Sequence, residues 1–201
     1  MPLTPEVLLW AYRQGYFPMG LAGEGVQWFN PDPRAVIPLD ALHVPKSLQR
    51  VARKQPFLLT RDRCFQRVME ACAEPRRYED ETWITPEMVH AYTALHRLGH
   101  AHSVEAWTRP AEGGEPELVG GLYGVSIGGA FFGESMFSRA TDASKLCLLH
   151  LVDHLNARGY RLLDTQMNNP HMAQFGVLEI PRAQYLALLA QATAMAVTWE
   201  G

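Results

Sequence analysis

Little cysteine, no long apolar run and no surplus of positive charge mark this 201-residue chain, and each absence excludes something. Cys64, Cys72 and Cys147 are odd in number and lie within apolar periodic segments, so they read as reduced core residues of a cytoplasmic protein and not as a disulfide framework. No apolar run reaches the length of a membrane span. The opening Met1-Pro2-Leu3-Thr4-Pro5-Glu6 lacks the basic start of a secretory signal. No Gly-x-Ser-x-Gly turn surrounds Ser135, so a serine-hydrolase elbow is absent. Among the histidines, His96/His100 and His150/His154 stand at i, i+4 and His100/His102 alternate. The first pair straddles a helix stop at Gly99, and the second lacks the acid of a zinc-peptidase helix. No metal site is expected. Cys147 and His150, one helical turn apart, read as an inert core thiol beside a histidine, with a nucleophile pair as the lesser reading.

What is present is a segregation of charge. Between Lys46 and Arg67 stand seven basic residues (Lys46, Arg50, Arg53, Lys54, Arg61, Arg63, Arg67) against Asp62 alone, while acids dominate from Glu112 to Glu134, for a net charge of -3. Such a basic stretch is either a solvated helix face or a surface that holds phosphates.

Thr4 and Pro5 open a short helix that Gly15 stops. Trp28-Phe29 then runs into the proline turn Asn30-Pro31-Asp32-Pro33-Arg34. A composition shift at Pro38 to Ala41 suggests a boundary there. Residues 45–54 read as a helix with Lys46, Arg50, Arg53 and Lys54 on one side. Residues 57–60 are a strand and 62–73 a helix. Thr85-Pro86 starts a helix that ends at Gly99. Strands are expected over 100–107, 117–125 and 130–137, the last two joined by the hairpin signal Ser126-Ile127-Gly128-Gly129. A long helix over 142–157, a buried strand over 160–166 and a helix from Pro181 complete the chain. The order predicts an α/β (α+β) domain in which an antiparallel meander feeds a βα unit, an order that suits the acyl-CoA N-acyltransferase-like fold.

Two places carry acids where apolar residues are expected. Glu134 sits inside Phe131-Phe132-Gly133-Glu134-Ser135-Met136-Phe137; it is a site acid or one half of a salt bridge, with Arg139 or a more distant arginine as the other half. Asp164 and Gln166 end the strand Leu162-Leu163-Asp164-Thr165-Gln166, and their i, i+2 spacing predicts that both side chains point to one face. Asp164 there either caps the following turn or serves a site. Trp28, Phe29, Trp83, Tyr92 and Phe131 line either a pocket or the core. An acyl-CoA enzyme of this fold would carry a glycine-rich pyrophosphate loop ahead of the long helix. Here that position reads Ser138-Arg139-Ala140-Thr141-Asp142-Ala143-Ser144-Lys145, without glycine, which argues against coenzyme A.

The blocks Trp28 to Arg34, Trp83-Ile84-Thr85, Leu98 to Glu105, Gly120 to Val125, Gly133 to Arg139, Ala143-Ser144-Lys145, Asp164-Thr165-Gln166 and Glu179 to Arg182 resemble the leucyl/phenylalanyl-tRNA–protein transferases. The resemblance runs from about residue 7 to about residue 186. It implies a cofactor-free, cytoplasmic aminoacyltransferase. Such an enzyme moves Leu or Phe, and Met less well, from aminoacyl-tRNA to a protein or peptide beginning with Arg or Lys, which then enters N-end-rule degradation. It implies an acyl-CoA N-acyltransferase-like catalytic domain, set at residues 41–201, behind a small N-terminal domain over residues 1–40. That small domain is trimmed relative to members with a longer N-terminus.

By the same resemblance Trp28, Trp83, Tyr92, Gly133 and Glu134 hold the terminal adenosine and aminoacyl group. Leu122, Phe131, Leu151, Leu155 and Leu163 form an apolar cup. Leucines at 151 and 155 replace the family's phenylalanines, which bears on the preference between Leu and Phe. Asp164 is expected to orient and deprotonate the incoming amine with Gln166 beside it, directly or with help from the donor's ribose hydroxyls. Lys46, Arg50, Arg53 and Lys54 are expected to meet the tRNA backbone.

Overall fold

A computed structural model describes residues 3–75, 82–110 and 114–200; Glu112, where the acidic stretch begins, lies outside the described residues. Helix α1 (Pro5–Arg13) starts at Thr4, whose hydroxyl accepts the Val7 N–H at 3.4 Å. Strands β1 (Phe17–Leu21) and β2 (Gly25–Phe29) form a separate two-stranded ribbon. There follow β3 (Arg34–Ile37), α2 (Lys46–Lys54), β4 (Leu58–Arg61), α3 (Phe65–Cys72), α4 (Pro86–Arg97), β5 (Ala101–Trp107), β6 (Leu118–Ile127), β7 (Ala130–Ser138), α5 (Ala143–Arg158), β8 (Leu162–Gln166), α6 (Pro170–Ala173), β9 (Leu178–Ile180) and α7 (Arg182–Thr193).

Seven strands make one sheet in the order β4-β5-β6-β7-β8-β3-β9. β4 to β7 form the expected antiparallel meander, and α5 returns the chain to β8 parallel to β7. Within the span expected as the 1–40 unit, β3 lies inside the main sheet between β8 and β9, so the chain enters that sheet ahead of the composition shift. Four residues, Arg34-Ala35-Val36-Ile37, all buried, are too short a run to show periodicity.

Successive strand residues feed opposite faces. Tyr123 and Phe132 pack with Tyr12, Met69, Met88, Tyr92 and Tyr185 from α1, α3, α4 and α7. Leu122, Phe131 and Leu163 pack with Leu48 of α2 and with Leu146, Leu151 and Leu155 of α5. Each such buried leucine contributes about 1.5–3 kcal/mol relative to an exposed one. At Gly124 the two strands leave no space: a Cβ would lie 2.3 Å from the Phe132 carbonyl oxygen.

Parallel pairing of β7 with β8 is brief. It holds over Ala130↔Leu162, Phe131↔Leu163 and Phe132↔Asp164. From Gly133 onward β7 stays with β6, while β8 stays with β3. The strands part, and a cleft opens in the gap.

Candidate active site

Two irregularities flank the point where the strands part. On β7, Tyr123 pairs with Ser135 and Gly124 with Gly133, which leaves Glu134 as an extra residue. On β8, Ala35 pairs with Gln166 and Val36 with Asp164, which leaves Thr165 extra. Bulges bend a strand and re-aim its side chains. Here they bring two side chains together: Gln166 Nε2 donates to Glu134 Oε1 at 2.9 Å.

The cleft measures about 1060 Å³. Leu122, Met136, Leu148, Leu151 and Leu163 supply its apolar walls, and Glu134, Thr165 and Gln166 its polar end. Burial pushes the Glu134 carboxyl up to about 8, and the Asp164 charge adds to the rise; the Tyr12 and Tyr92 hydroxyls and Arg34 pull it back. Tyr92 donates to Glu134 Oε2 at 3.3 Å and is itself hydrogen-bonded to Tyr12. The carboxyl thus sits at the end of a chain of buried hydroxyls. Burial also raises both tyrosines well above their ordinary range, with Glu134 adding to it.

Behind this pair lies Asp164, fully buried. Its Oδ1 accepts from Arg34 Nε at 2.9 Å and from the Gln166 backbone N–H at 2.8 Å. Its Oδ2 accepts from Arg34 Nη2 at 2.6 Å and from the Tyr185 hydroxyl at 2.7 Å. Arg34 is sandwiched between the Phe17 and Tyr185 rings, 4.9 and 4.5 Å from their centroids, and also donates to the Gly15 carbonyl oxygen. Four hydrogen bonds occupy this carboxylate, so it is bound to a guanidinium and a backbone and has no lone pair turned to the cleft.

A sequence model of the leucyl/phenylalanyl-tRNA protein transferase matches residues 36–190, and one of that enzyme's N-terminal domain matches residues 1–32. The leucyl/phenylalanyl-tRNA–protein transferase of Rubrobacter xylanophilus is 52% identical over 96% of this chain and 96% of its own length. That of Herpetosiphon aurantiacus is 50% identical over 98% of both. The chain belongs to the leucyl/phenylalanyl-tRNA–protein transferase family. A crystal structure of FemX matches 82% of this chain and 60% of its own with a TM-score of 0.52 at 13% identity, a likeness of fold alone. The fold is acyl-CoA N-acyltransferase-like.

Of the residues that the transferase resemblance singled out, Leu122, Gly133, Glu134, Leu151, Leu163 and Gln166 line the cleft. Phe131 and Leu155 are fully buried beneath it and do not line it. Trp28 lines a separate recess with Trp10, Tyr16, Val26 and Glu87, on a ribbon distinct from the main sheet. Trp83 packs against the α1–α4 side of the core and accepts the Gly20 N–H on its carbonyl oxygen at 2.9 Å. Asp164 is corrected from amine contact to a position behind Gln166. The i, i+2 rule fails there because the Thr165 bulge breaks the alternation, and Gln166 takes a φ of 58°.

Lys46, Arg50, Arg53 and Lys54 are all exposed on α2, which is anchored by buried Leu48. Arg139 is not the partner of Glu134; its guanidinium meets Glu74 at 2.6 Å.

Sequence reasoning missed Tyr12, Tyr185 and, as a site residue, Arg34. The signal for Arg34 was a lone cation opening an apolar strand, which calls for a buried acid. His96 and His102 meet Asp62, but their atoms are engaged. His102 Nδ1 lies 2.8 Å from Asp62 Oδ2, Asp62 Oδ1 accepts the Ser103 N–H at 2.8 Å, and His96 Nδ1 donates to the Ala101 carbonyl oxygen at 2.7 Å. Burial pushes the Cys147 thiol up, away from a reactive thiolate. Among the described residues no helix is long and apolar enough to cross a membrane.

Proposed function

We propose that this chain transfers a leucyl or phenylalanyl group, and a methionyl group less well, from aminoacyl-tRNA to the α-amino group of a protein or peptide beginning with Arg or Lys. The setting is the cytoplasm, and the product is a substrate for N-end-rule degradation. The observation that carries this reading is the Gln166–Glu134 hydrogen bond at the head of an apolar cleft, in a chain of this family.

The donor ester is already activated, so aminolysis needs orientation and a place for a proton more than a covalent intermediate. The side chain of the donor amino acid lies among Leu122, Leu148, Leu151 and Leu163. Such a cup favours Leu, Phe and Met by burial and disfavours polar side chains by leaving them unpaired. With its NH₂ committed to Glu134, Gln166 offers its carbonyl oxygen to the incoming amine. That amine has a pKa of about 8 and is largely protonated at neutral pH; it gives up one proton to solvent, and the Gln166 oxygen and the Glu134 carboxyl orient the neutral amine for attack. The new C–N bond forms, the C–O bond to the ribose breaks, and the second proton released by the nitrogen passes through the neighbouring 2′ hydroxyl to the departing 3′ oxygen. Asp164 serves by fixing Gln166 and is a positioning residue. Lys46, Arg50, Arg53 and Lys54 meet tRNA phosphates, a contact that reads charge and not sequence.

Labelled leucyl-tRNA with an Arg-initiated peptide tests the reading, with acetyl-CoA and the same peptide as control. Label in the peptide from tRNA alone is the expected result. No transfer from tRNA, or transfer from acetyl-CoA, would sink it.

A further inference from the structure

The chain that follows α7 crosses from one face of the sheet to the other and ends its course beneath the cleft. α7 itself packs on the face that holds Tyr12 and Tyr92, through Tyr185, Leu189 and Ala192. Beyond it the chain rounds the β6–β7 turn, where the Gly129 N–H donates to the Ala192 carbonyl oxygen at 2.8 Å. At Gly128, which takes a φ of 56°, a Cβ would stand 2.7 Å from the Thr193 carbonyl oxygen and 2.9 Å from that of Met195. Glycine lets the two backbones pass this close. On the far face Trp199, 4% exposed, joins the core of Phe131, Leu151, Leu155 and Leu163. Arg158, at the end of α5, fastens the segment there. Its Nη2 donates to the Glu200 carbonyl oxygen at 2.7 Å and its Nε to that of Thr198 at 3.2 Å.

Trp199 is wedged between three elements. Its ring stacks on His102 of β5 at 4.4 Å and on Phe131 of β7 at 5.5 Å between centroids, and it meets His154 of α5 at 4.3 Å and 64°. Burial, with Arg61 adding to it, lowers His154 to about 4, so the imidazole faces the indole uncharged. Trp199 Nε1 is buried without a hydrogen-bond partner among the described residues, so the ring is held by stacking and not by its N–H.

Phe131 is thereby confined. On one side its ring lies over Gly124, where a Cβ would stand 2.4 Å from Phe131 Cε1. Trp199 closes another side. Across the parallel strand pair Phe131 is level with Leu163, a wall of the cleft. The ring cannot sink into the sheet, and with Trp199 in place it cannot turn away from Leu163.

We infer that Trp199 is a specificity-determining residue: by backing Phe131 it fixes the depth of the cup that takes the donor's side chain. The inference rests on the function proposed above. Trp199 does not line the cleft, so it is a positioning residue. A close-packed interior cannot deepen a pocket unless space is opened behind its floor. With a smaller side chain at position 199 the Phe131 ring has a space to turn into, and the cup deepens below Leu122 and Leu163. A phenylalanyl group then fits better, while a leucyl group leaves volume unfilled.

The test uses the full-length enzyme with Trp199→Leu and reads the ratio of kcat/KM for phenylalanyl-tRNA over leucyl-tRNA with an Arg-initiated peptide. That ratio should rise about fivefold, a fraction of what one methylene can give. Trp199→Phe keeps a stacked ring and should leave the ratio nearly unmoved. Arg158→Gln loosens the segment without cutting a void in the core and should raise the ratio about threefold. If Trp199→Leu does not fold, Arg158→Gln decides, and an unmoved ratio there overturns the inference. Calorimetric affinities for adenosines that carry a 3′-amide-linked phenylalanyl or leucyl group give the same comparison without chemistry. Failure of the unmodified enzyme to transfer from tRNA would count against the proposed function and leave the binding ratio to decide on Trp199. Both donors slowed alike in Trp199→Leu, with the ratio constant, would mean that the residue only stabilises the core and would overturn the inference, as would a fall in the ratio.

Discussion

Asp164 holds Gln166 by its backbone: one carboxylate oxygen accepts the Gln166 N–H at 2.8 Å and the Arg34 Nε–H at 2.9 Å. The glutamine sits at a φ of 58°, a conformation that costs a non-glycine residue about 1–3 kcal/mol. The hydrogen bond offsets that cost and fixes the turn that aims the Gln166 amide at Glu134. Arg34, 130 residues from Asp164 in sequence, thereby sets the position of a cleft side chain, Gln166, that it does not touch.

Removing Asp164 should therefore act on stability as well as on rate. Asp164→Ala strands a fully buried guanidinium, and loss of one partner of such a pair costs about 3–5 kcal/mol. Urea unfolding should show that loss. At a temperature where the variant remains folded, peptide transfer should fail while tRNA still binds. A variant with native unfolding free energy and abolished transfer would show instead that Asp164 acts on the substrate itself.

Glu134 predicts a pH dependence of the opposite sign to that of a paired carboxylate. In the unfolded chain it titrates at about 4.3, whereas burial raises it to about 8 in the folded protein. Between these values the folded state holds the extra proton, so stability falls as pH rises and the full penalty is present above about 8. Glu134→Gln removes the titration. The melting temperature of the unmodified protein should drop more between pH 5 and pH 8.5 than that of Glu134→Gln. Parallel curves would mean that the carboxyl is ionised throughout.

Much of this architecture could be read from residues alone, and the failures share a cause. Thr85 caps α4 as its position suggests, accepting the Met88 N–H at 3.2 Å, and the Ser126 to Gly129 turn joins β6 to β7. These signals are local. β3 and β9 escaped notice because each is short and lies beside a proline, and its pairing partners stand far off in sequence or on another element. The two bulges were illegible because a one-residue shift in pairing depends on the partner strand, and so the alternation argument misplaced the Asp164 carboxylate. That Glu134 and Asp164 were unusual acids was legible. That Tyr12, Tyr185 and Arg34 would attend them was not, since each contact joins separate elements of the chain.

The α2 prediction concerns salt. Arg50, Arg53 and Lys54 are exposed, and none forms an ion pair among the described residues. Changing all three to Gln should weaken tRNA binding and flatten the slope of log affinity against log salt by about two to three units, roughly one for each phosphate no longer neutralised. Folding should be unaffected, because Leu48 anchors the helix from its other face. An unchanged slope in a filter-binding titration would return these residues to the role of a solvated face.

The choice between Leu and Phe should be adjustable from the wall of the cup. Leu151 is 1% exposed and lines the cleft, whereas Leu155, one turn further along α5, is buried without reaching it. Leu151→Phe adds bulk to the space that the donor side chain occupies. The smaller leucyl group should tolerate the loss better than the phenylalanyl group, and a one-methylene difference in such pockets is worth about 1–3 kcal/mol. The ratio of kcat/KM for phenylalanyl-tRNA over leucyl-tRNA should fall about tenfold or more. Leu155→Phe overpacks the core, which costs about 1–3 kcal/mol of stability, and should leave that ratio nearly unmoved. Equal shifts in both variants would mean that the preference is set by the packing of α5 as a whole and not by the Leu151 wall.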